Sequence, residues 1–293
     1  MQRNPAEGLG RPQGIGNCRQ VETADRFNLS FFYATVYNIP SAIFMLMNTD
    51  EIMDEPIQWC AKNKVKLIFQ SDRRYMRCNA SLEKTLKAFS AHIANGRAYV
   101  EQNTSNGKID TSKAISEAQK WPNYGRFGSY LFVETLTYVL GLESANRPTF
   151  DLANGATATS GIMNVFGNDD DADLFDRTKK LKVPERELHL RLSEICRRIE
   201  ESGGNPDISC VETSLCAYRK FFKGSRYNGY YLDRQLEELY AYPRINPDSA
   251  GYVNELFELR ERLFDKKYLG EFGGWEGVRS SMKKHYLRTG EVG

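Results

Sequence analysis

Histidine is scarce in this chain, and cysteine has no pattern. The three histidines (His92, His189, His285) and six cysteines (Cys18, Cys60, Cys78, Cys196, Cys210, Cys216) form no Cys-x-x-Cys pair and no ligand spacing, which argues against a zinc site. Cysteines scattered this widely fit a reducing compartment better than a disulfide framework. No secretory leader is expected, because the first twenty residues are polar and glycine-rich. The longest apolar run, Tyr130 to Leu142, carries Glu134 and is too short to span a bilayer. A soluble intracellular protein is therefore expected, with no membrane partner. Charge of one sign is lacking too: 40 Lys and Arg stand against 38 Asp and Glu. Any basic surface for nucleic acid must then be local. Internal repeats and long alternating strand patterns are also missing.

Helical text and aromatics are abundant. With 16 Tyr, 16 Phe and 3 Trp, most rings are expected in the core and a minority are candidates for stacking on bases. Residues 1–22, with Pro5, Gly8, Gly10, Pro12, Gly14 and Gly16, read as a flexible arm, and 23–290 as one helical domain or two helical lobes. Asp25 to Met47 is helical and interrupted by Pro40, with Ser41 as the expected cap of the next helix. Lys64 to Arg77 is an apolar run followed by a basic-aromatic cluster, either a strand or a helix end. Leu82, Leu86, Phe89 and Ile93 predict a helix over 81–97, and further helices are predicted at 111–120, 184–202, 210–223, 232–240 and 252–264. Asn168 to Asp176, with five aspartates, reads as a solvated loop, since the alternating acids, central glycine and closing glutamate of a calcium loop are missing. The expected fold class is mainly α, with eight to ten helices.

Three segments carry the chemistry. In WPNYGRFGSYLFVETL a proline-glycine turn opens into a helix and resembles the hairpin of helix-hairpin-helix DNA-binding proteins. In those, backbone amides, here around Asn123 and Gly125, meet a DNA phosphate, and Arg126 is either a further phosphate contact or a surface arginine. Phe127, Leu131, Glu134 and Tyr138 share a stripe of that helix. Glu134 is then either a satisfied structural acid or the lining of a pocket. Asp151 follows in FDLANGATATSG, where Asn154, Gly155 and Gly161 allow close backbone approach and Asp151 is either a cap or a base. In CVETSLCAYRKFFKG, Val211, Leu215, Tyr218 and Phe222 form the predicted buried stripe, while Glu212, Cys216 and Lys220 repeat on a neighbouring face beside Arg219. An acid and cations on one face suit a cleft, and Cys216 reads as a packing residue. Arg73 and Arg74, in the basic cluster, are candidates for contact with a nucleic-acid backbone.

Together FFYATVYNIP, QSDRRYMR, GRFGSYLFVETL, FDLANGATATSGI and VETSLCAYRKF, over roughly 27–230, resemble the bacteriophage amino acid:DNA transferase family, also described as α-glutamyl/putrescinyl thymine pyrophosphorylases. The resemblance implies a helix-hairpin-helix, DNA-glycosylase-like helical fold. It implies an enzyme, working in the host cytoplasm, that hypermodifies thymine in phage DNA. An amine from a free amino acid or polyamine would replace the phosphate or pyrophosphate of a phosphorylated 5-hydroxymethyluracil in double-stranded DNA, after a hydroxymethyluracil DNA kinase has acted. No cofactor is required. The chain lacks a GxxxxGK[ST] loop, which disfavours a kinase. Residue chemistry makes Asp151 or Glu212 the general base and sets Lys220 with Arg219 or Arg126 at the phosphate. Asn154 and Gly155, with Glu134, then shape the substrate site, and Arg73, Arg74, Asn123, Gly125 and Arg126 contact DNA. A helix-hairpin-helix DNA glycosylase and a non-catalytic DNA-binding accessory are the rival readings.

Overall fold

Aromatic residues on one helix organise the first half of the chain. In α1 (Thr23–Val36), Phe27, Phe31 and Phe32 are fully buried. Phe31 stacks on Tyr124 at 5.0 Å and on Phe89 at 4.8 Å between ring centroids, and Phe27 meets Phe132, Trp121 and Tyr99 edge-on or tilted. These rings are core, as expected for most of them, and such pairs add to plain area burial. The computed structural model describes residues 23–145, 156–167, 174, 181–204, 206, 208–223 and 230–263. Within them it is mainly α, with thirteen α-helices and three strands of two residues each.

Around α1 run α2 (Ile39–Met47), α3 (Thr49–Asp54), α4 (Pro56–Asn63), α5 (Asn79–Ala88), α6 (Gly96–Asn103), α7 (Thr111–Ala118) and α8 (Arg126–Leu140). The helix count exceeds the expectation because the first hundred residues break into short pieces. Asn38, not Ser41, caps α2: its Oδ1 accepts from the Ser41 amide at 3.1 Å, while Ser41 Oγ accepts from the Ile68 amide at 2.9 Å. Lys64 to Arg77 is neither strand nor helix end but two 3-10 turns, 64–66 and 71–77. The helix predicted over 81–97 passes into a π turn at 89–93 and restarts at Gly96. A Cβ on Gly96 would lie 2.3 Å from Cγ of Phe27, so glycine there lets α6 approach α1. Gly141, at φ 65°, ends α8 in the left-handed conformation.

A second apolar cluster joins α9 (Ala156–Val165), α10 (Glu185–Glu201) and α11 (Ile208–Phe222) through Ile162, Leu188, Leu192, Val211 and Leu215, among others. The last two helices, α12 (Tyr230–Ile245) and α13 (Ala250–Leu263), return to the first cluster, where Leu239, Tyr242 and Val253 are buried. Most of the aspartate-rich stretch 168–176 and the arm 1–22 lie outside the described residues. Among the described residues no helix is long and apolar enough to cross a membrane, and no group of three or more His, Cys, Asp or Glu could hold a metal.

Candidate functional site

The turn before α8 is locked from inside. Asn123 adopts φ 62°, a left-handed conformation that asparagine tolerates where glycine is more usual. Its Nδ2 donates to Ser81 O at 2.9 Å and Thr85 Oγ1 at 3.0 Å, and its carbonyl accepts from the Tyr75 hydroxyl at 2.9 Å. Asn123 therefore binds the turn to α5 through its side chain and carbonyl, whereas the phosphate contact expected of this turn concerns backbone amides. Arg73 is also corrected. It is 1% exposed, its guanidinium lies over the rings of Tyr75 and Tyr124 at 5.2 and 5.3 Å, and it donates to Thr35 O and Asn123 O. A cation so enclosed supports the turn and offers no surface to a nucleic-acid backbone. Arg74 beside it is exposed. Gly125 is exposed as well, and a Cβ there would meet nothing within 4 Å, so the described residues leave the N-terminus of α8 uncovered on that side.

From this turn, side chains of α8 reach α11 at two points. Arg126 Nη2 reaches Glu212 Oε1 at 3.1 Å, with the side chains 34% and 13% exposed. Two turns on, Glu134 Oε1 accepts from Thr213 Oγ1 at 3.3 Å. Cys216 lies in the same field. Burial, then the Glu212 carboxylate, push its thiol up to about 11, against the opposing charges of Lys220, Arg126 and Arg219. The thiol stays protonated, in keeping with a packing cysteine. The same sulfur thus feels Glu212, Arg219 and Lys220, within four residues of it on α11, together with Arg126, which the fold brings in from α8.

The predicted stripes need adjustment. Val211 and Leu215 are buried, but Tyr218 is 40% exposed; on α8, Leu131 is buried whereas Phe127 and Tyr138 are 40% and 52% exposed. Glu134 is half-buried at the border between the apolar and polar sides. Asp151, Asn154 and Gly155 lie outside the described residues. The helix that begins at Ala156 is packed hard on α11, because a Cβ on Gly161 would stand 2.3 Å from the Leu215 carbonyl oxygen.

Over residues 22–227, well over half of its length, the sequence matches the family described as amino acid:DNA transferase. The chain belongs to that family. No curated protein and no solved structure matches it. It is accordingly a transferase that acts on DNA, and DNA and an amino acid are its substrates. The four clustered residues all fall inside the matched segment, as does α1.

The transferase also holds a group that sequence reasoning missed. Glu238 of α12, beyond the matched segment, accepts from Asn38 Nδ2 at 2.9 Å and from Gln70 Nε2, with Arg234 Nε at 3.6 Å. Burial lifts its carboxyl to about 7, against the opposing influence of Arg234 and the Asn38 bond. In the sequence Glu238 follows Glu237 on a charged helix and looks like solvated surface. The chain records no signal that would set it apart.

Proposed function

We propose that this transferase joins the amine of an amino acid or polyamine to the 5-methylene carbon of phosphorylated 5-hydroxymethyluracil in phage DNA, releasing phosphate or pyrophosphate. The gathering of Arg126, Arg219 and Lys220 around Cys216 of α11, with Arg126 in the first turn of α8, is the observation that carries this reading. A leaving phosphate gathers negative charge as its carbon–oxygen bond breaks, and preorganised cations with helix amides lower that barrier. The reaction balances simply. The ammonium loses a proton to a base, its nitrogen forms the new bond to carbon, the carbon–oxygen electrons leave with the phosphate, and a second proton then departs from nitrogen.

Lys220 and Arg219 bind the phosphate, with the α8 amides beside Gly125. Glu212 was a candidate base along with Asp151. Its pairing with Arg126 supports the role of aiming that guanidinium, which leaves Asp151 as the acid that takes the second proton, released once the new bond has formed. Asn154 and Gly155 shape the base pocket, and Arg74 meets the DNA backbone. A flipped or strongly distorted nucleotide gives the amine its access. A hydroxymethyluracil DNA kinase acting beforehand supplies the phosphorylated base, in the host cytoplasm.

Incubation with phosphomethyluracil-containing DNA and a panel of amines, followed by digestion to nucleosides and mass analysis, tests the reading. A nucleoside heavier by the amine is expected, with Lys220→Ala losing product while retaining DNA. Release of a free base would identify a glycosylase. No adduct with any amine would overturn the proposal.

A further inference from the structure

The Glu238 carboxylate reaches from α12 to the junction of α1 and α2 with both oxygens held. Asn38, fully buried, donates to one, and Gln70, 8% exposed, donates to the other. Arg234 Nη2 in turn donates to Gln70 Oε1 at 3.0 Å, which fixes the amide that fixes the acid. Next to it is the Tyr33 phenol. Its hydroxyl makes no hydrogen bond among the described residues, yet the charges of Glu238 and of Glu134 both bear on it. Burial and these anions hold the phenol protonated. One turn on, Tyr37 stands at φ 55°, an uncommon conformation for an aromatic residue. Its ring meets Tyr33 at 5.5 Å and Phe127 at 5.6 Å. Phe127, in the first turn of α8 beside Arg126, thus links α1 to that helix.

Two stretches of α8 differ in the charges around them: near Arg126 the cations Arg126, Arg219 and Lys220 outnumber Glu212, and near Glu134 the acids Glu134 and Glu238 outnumber Arg234. Arg126 and Glu134 are eight residues apart on α8, about 12 Å along the axis. Cations collect around the first, and around the second stand two carboxylates, the Tyr33 phenol and aromatic rings. The reactants of the proposed transfer are themselves of opposite charge, an anionic leaving group and a cationic amine.

We infer that the junction of α1, α8 and α12 is the amine subsite, where Glu134 and Glu238 receive a primary ammonium against the rings of Tyr33 and Tyr37, and where Glu238 takes its proton. This rests on the transfer reaction proposed above and adds where its second substrate binds. The Glu238 carboxylate becomes the acid as the ammonium becomes the amine, whose lone pair then forms the carbon–nitrogen bond. A base lifted by burial lies closer to an ammonium than an ordinary carboxylate does. The titratable groups that face it are Arg234 and Glu237 on its own helix, Tyr33 and Tyr37 on α1, and Glu134 beyond them on α8.

The test compares Glu238→Gln and Tyr33→Phe with the wild type on phosphomethyluracil DNA, using a strongly basic alkylamine and trifluoroethylamine, which is largely neutral at pH 7. With the alkylamine, Glu238→Gln should lose roughly 100-fold or more in kcat/KM, lose the acid limb of its pH profile, and keep its DNA affinity and melting temperature. Trifluoroethylamine, arriving already neutral, should recover most of the rate. Tyr33→Phe should raise KM for the amine with little change in kcat. Equal losses with both amines, or wild-type rates in Glu238→Gln with both, overturn the inference. If the wild type itself forms no adduct, the transfer reading fails alone. Calorimetric titration of alkylamine into protein then decides the subsite: binding by the wild type and not by Glu238→Gln supports it, and equal or no binding by both overturns it.

Discussion

At the scale of single residues, burial sets the role of each charge. Arg73 and Arg74 are neighbours of the same type, yet one lies over two tyrosine rings and the other faces solvent. Arg74→Ala should leave the melting temperature unchanged and reduce the slope of log affinity for DNA against log salt by about one. Arg73→Ala should leave that slope alone and lower the melting temperature, both read by fluorescence anisotropy beside a thermal melt. Glu238 yields a prediction about pH. Its carboxyl titrates near 4.5 unfolded and about 7 folded, so between those values the fold holds a proton that the unfolded chain has released. Stability contributed by this group is therefore complete below about 4.5 and lost as the pH rises through 7. Denaturation at a series of pH values should show that decline, on the order of 3 kcal/mol, and Glu238→Gln should flatten it. An unchanged curve in the variant would assign the decline to other groups.

At the scale of elements, close contacts between helices rest on glycine. Gly161 lets α9 lie against the α11 backbone, with no room for a methyl group before the Leu215 carbonyl. Gly161→Ala must push the two helices apart and should cost about 3 kcal/mol, seen as a lower urea midpoint with an unchanged m-value. Because α11 carries Glu212, Arg219 and Lys220, turnover should fall as well, while wild-type turnover in this variant would separate the α9–α11 contact from the site. Several elements were legible in the chain. The predicted helices at 111–120, 184–202 and 252–264 match α7, α10 and α13 to within two residues at each end, because their apolar spacing is regular and Gly203 ends α10. Around 64–77 the same reading left strand and helix end open, since two short 3-10 turns impose no period that a sequence could display.

At the scale of the whole molecule, the segment after the family match completes the first core. Leu239, Tyr242 and Val253 pack there, and Glu238 joins α12 to Asn38 and Gln70. A chain truncated after residue 227 should expose that core face, lose cooperative melting and bind a hydrophobic dye. A sharp transition at the wild-type temperature would show that the matched segment stands alone.

The amino-acid sequence by itself determined that the protein is mainly helical, which family it belongs to, and which acid and cations share a face of α11, because periodicity and motif order are local properties of the chain. Tertiary structure alone decided that Arg73 is enclosed, that Asn123 turns inward and that Glu238 is a half-buried base candidate. Burial depends on residues far away in sequence: Thr35 and Tyr124 cover Arg73, and Asn38 and Gln70 hold Glu238. No spacing along the chain encodes those meetings.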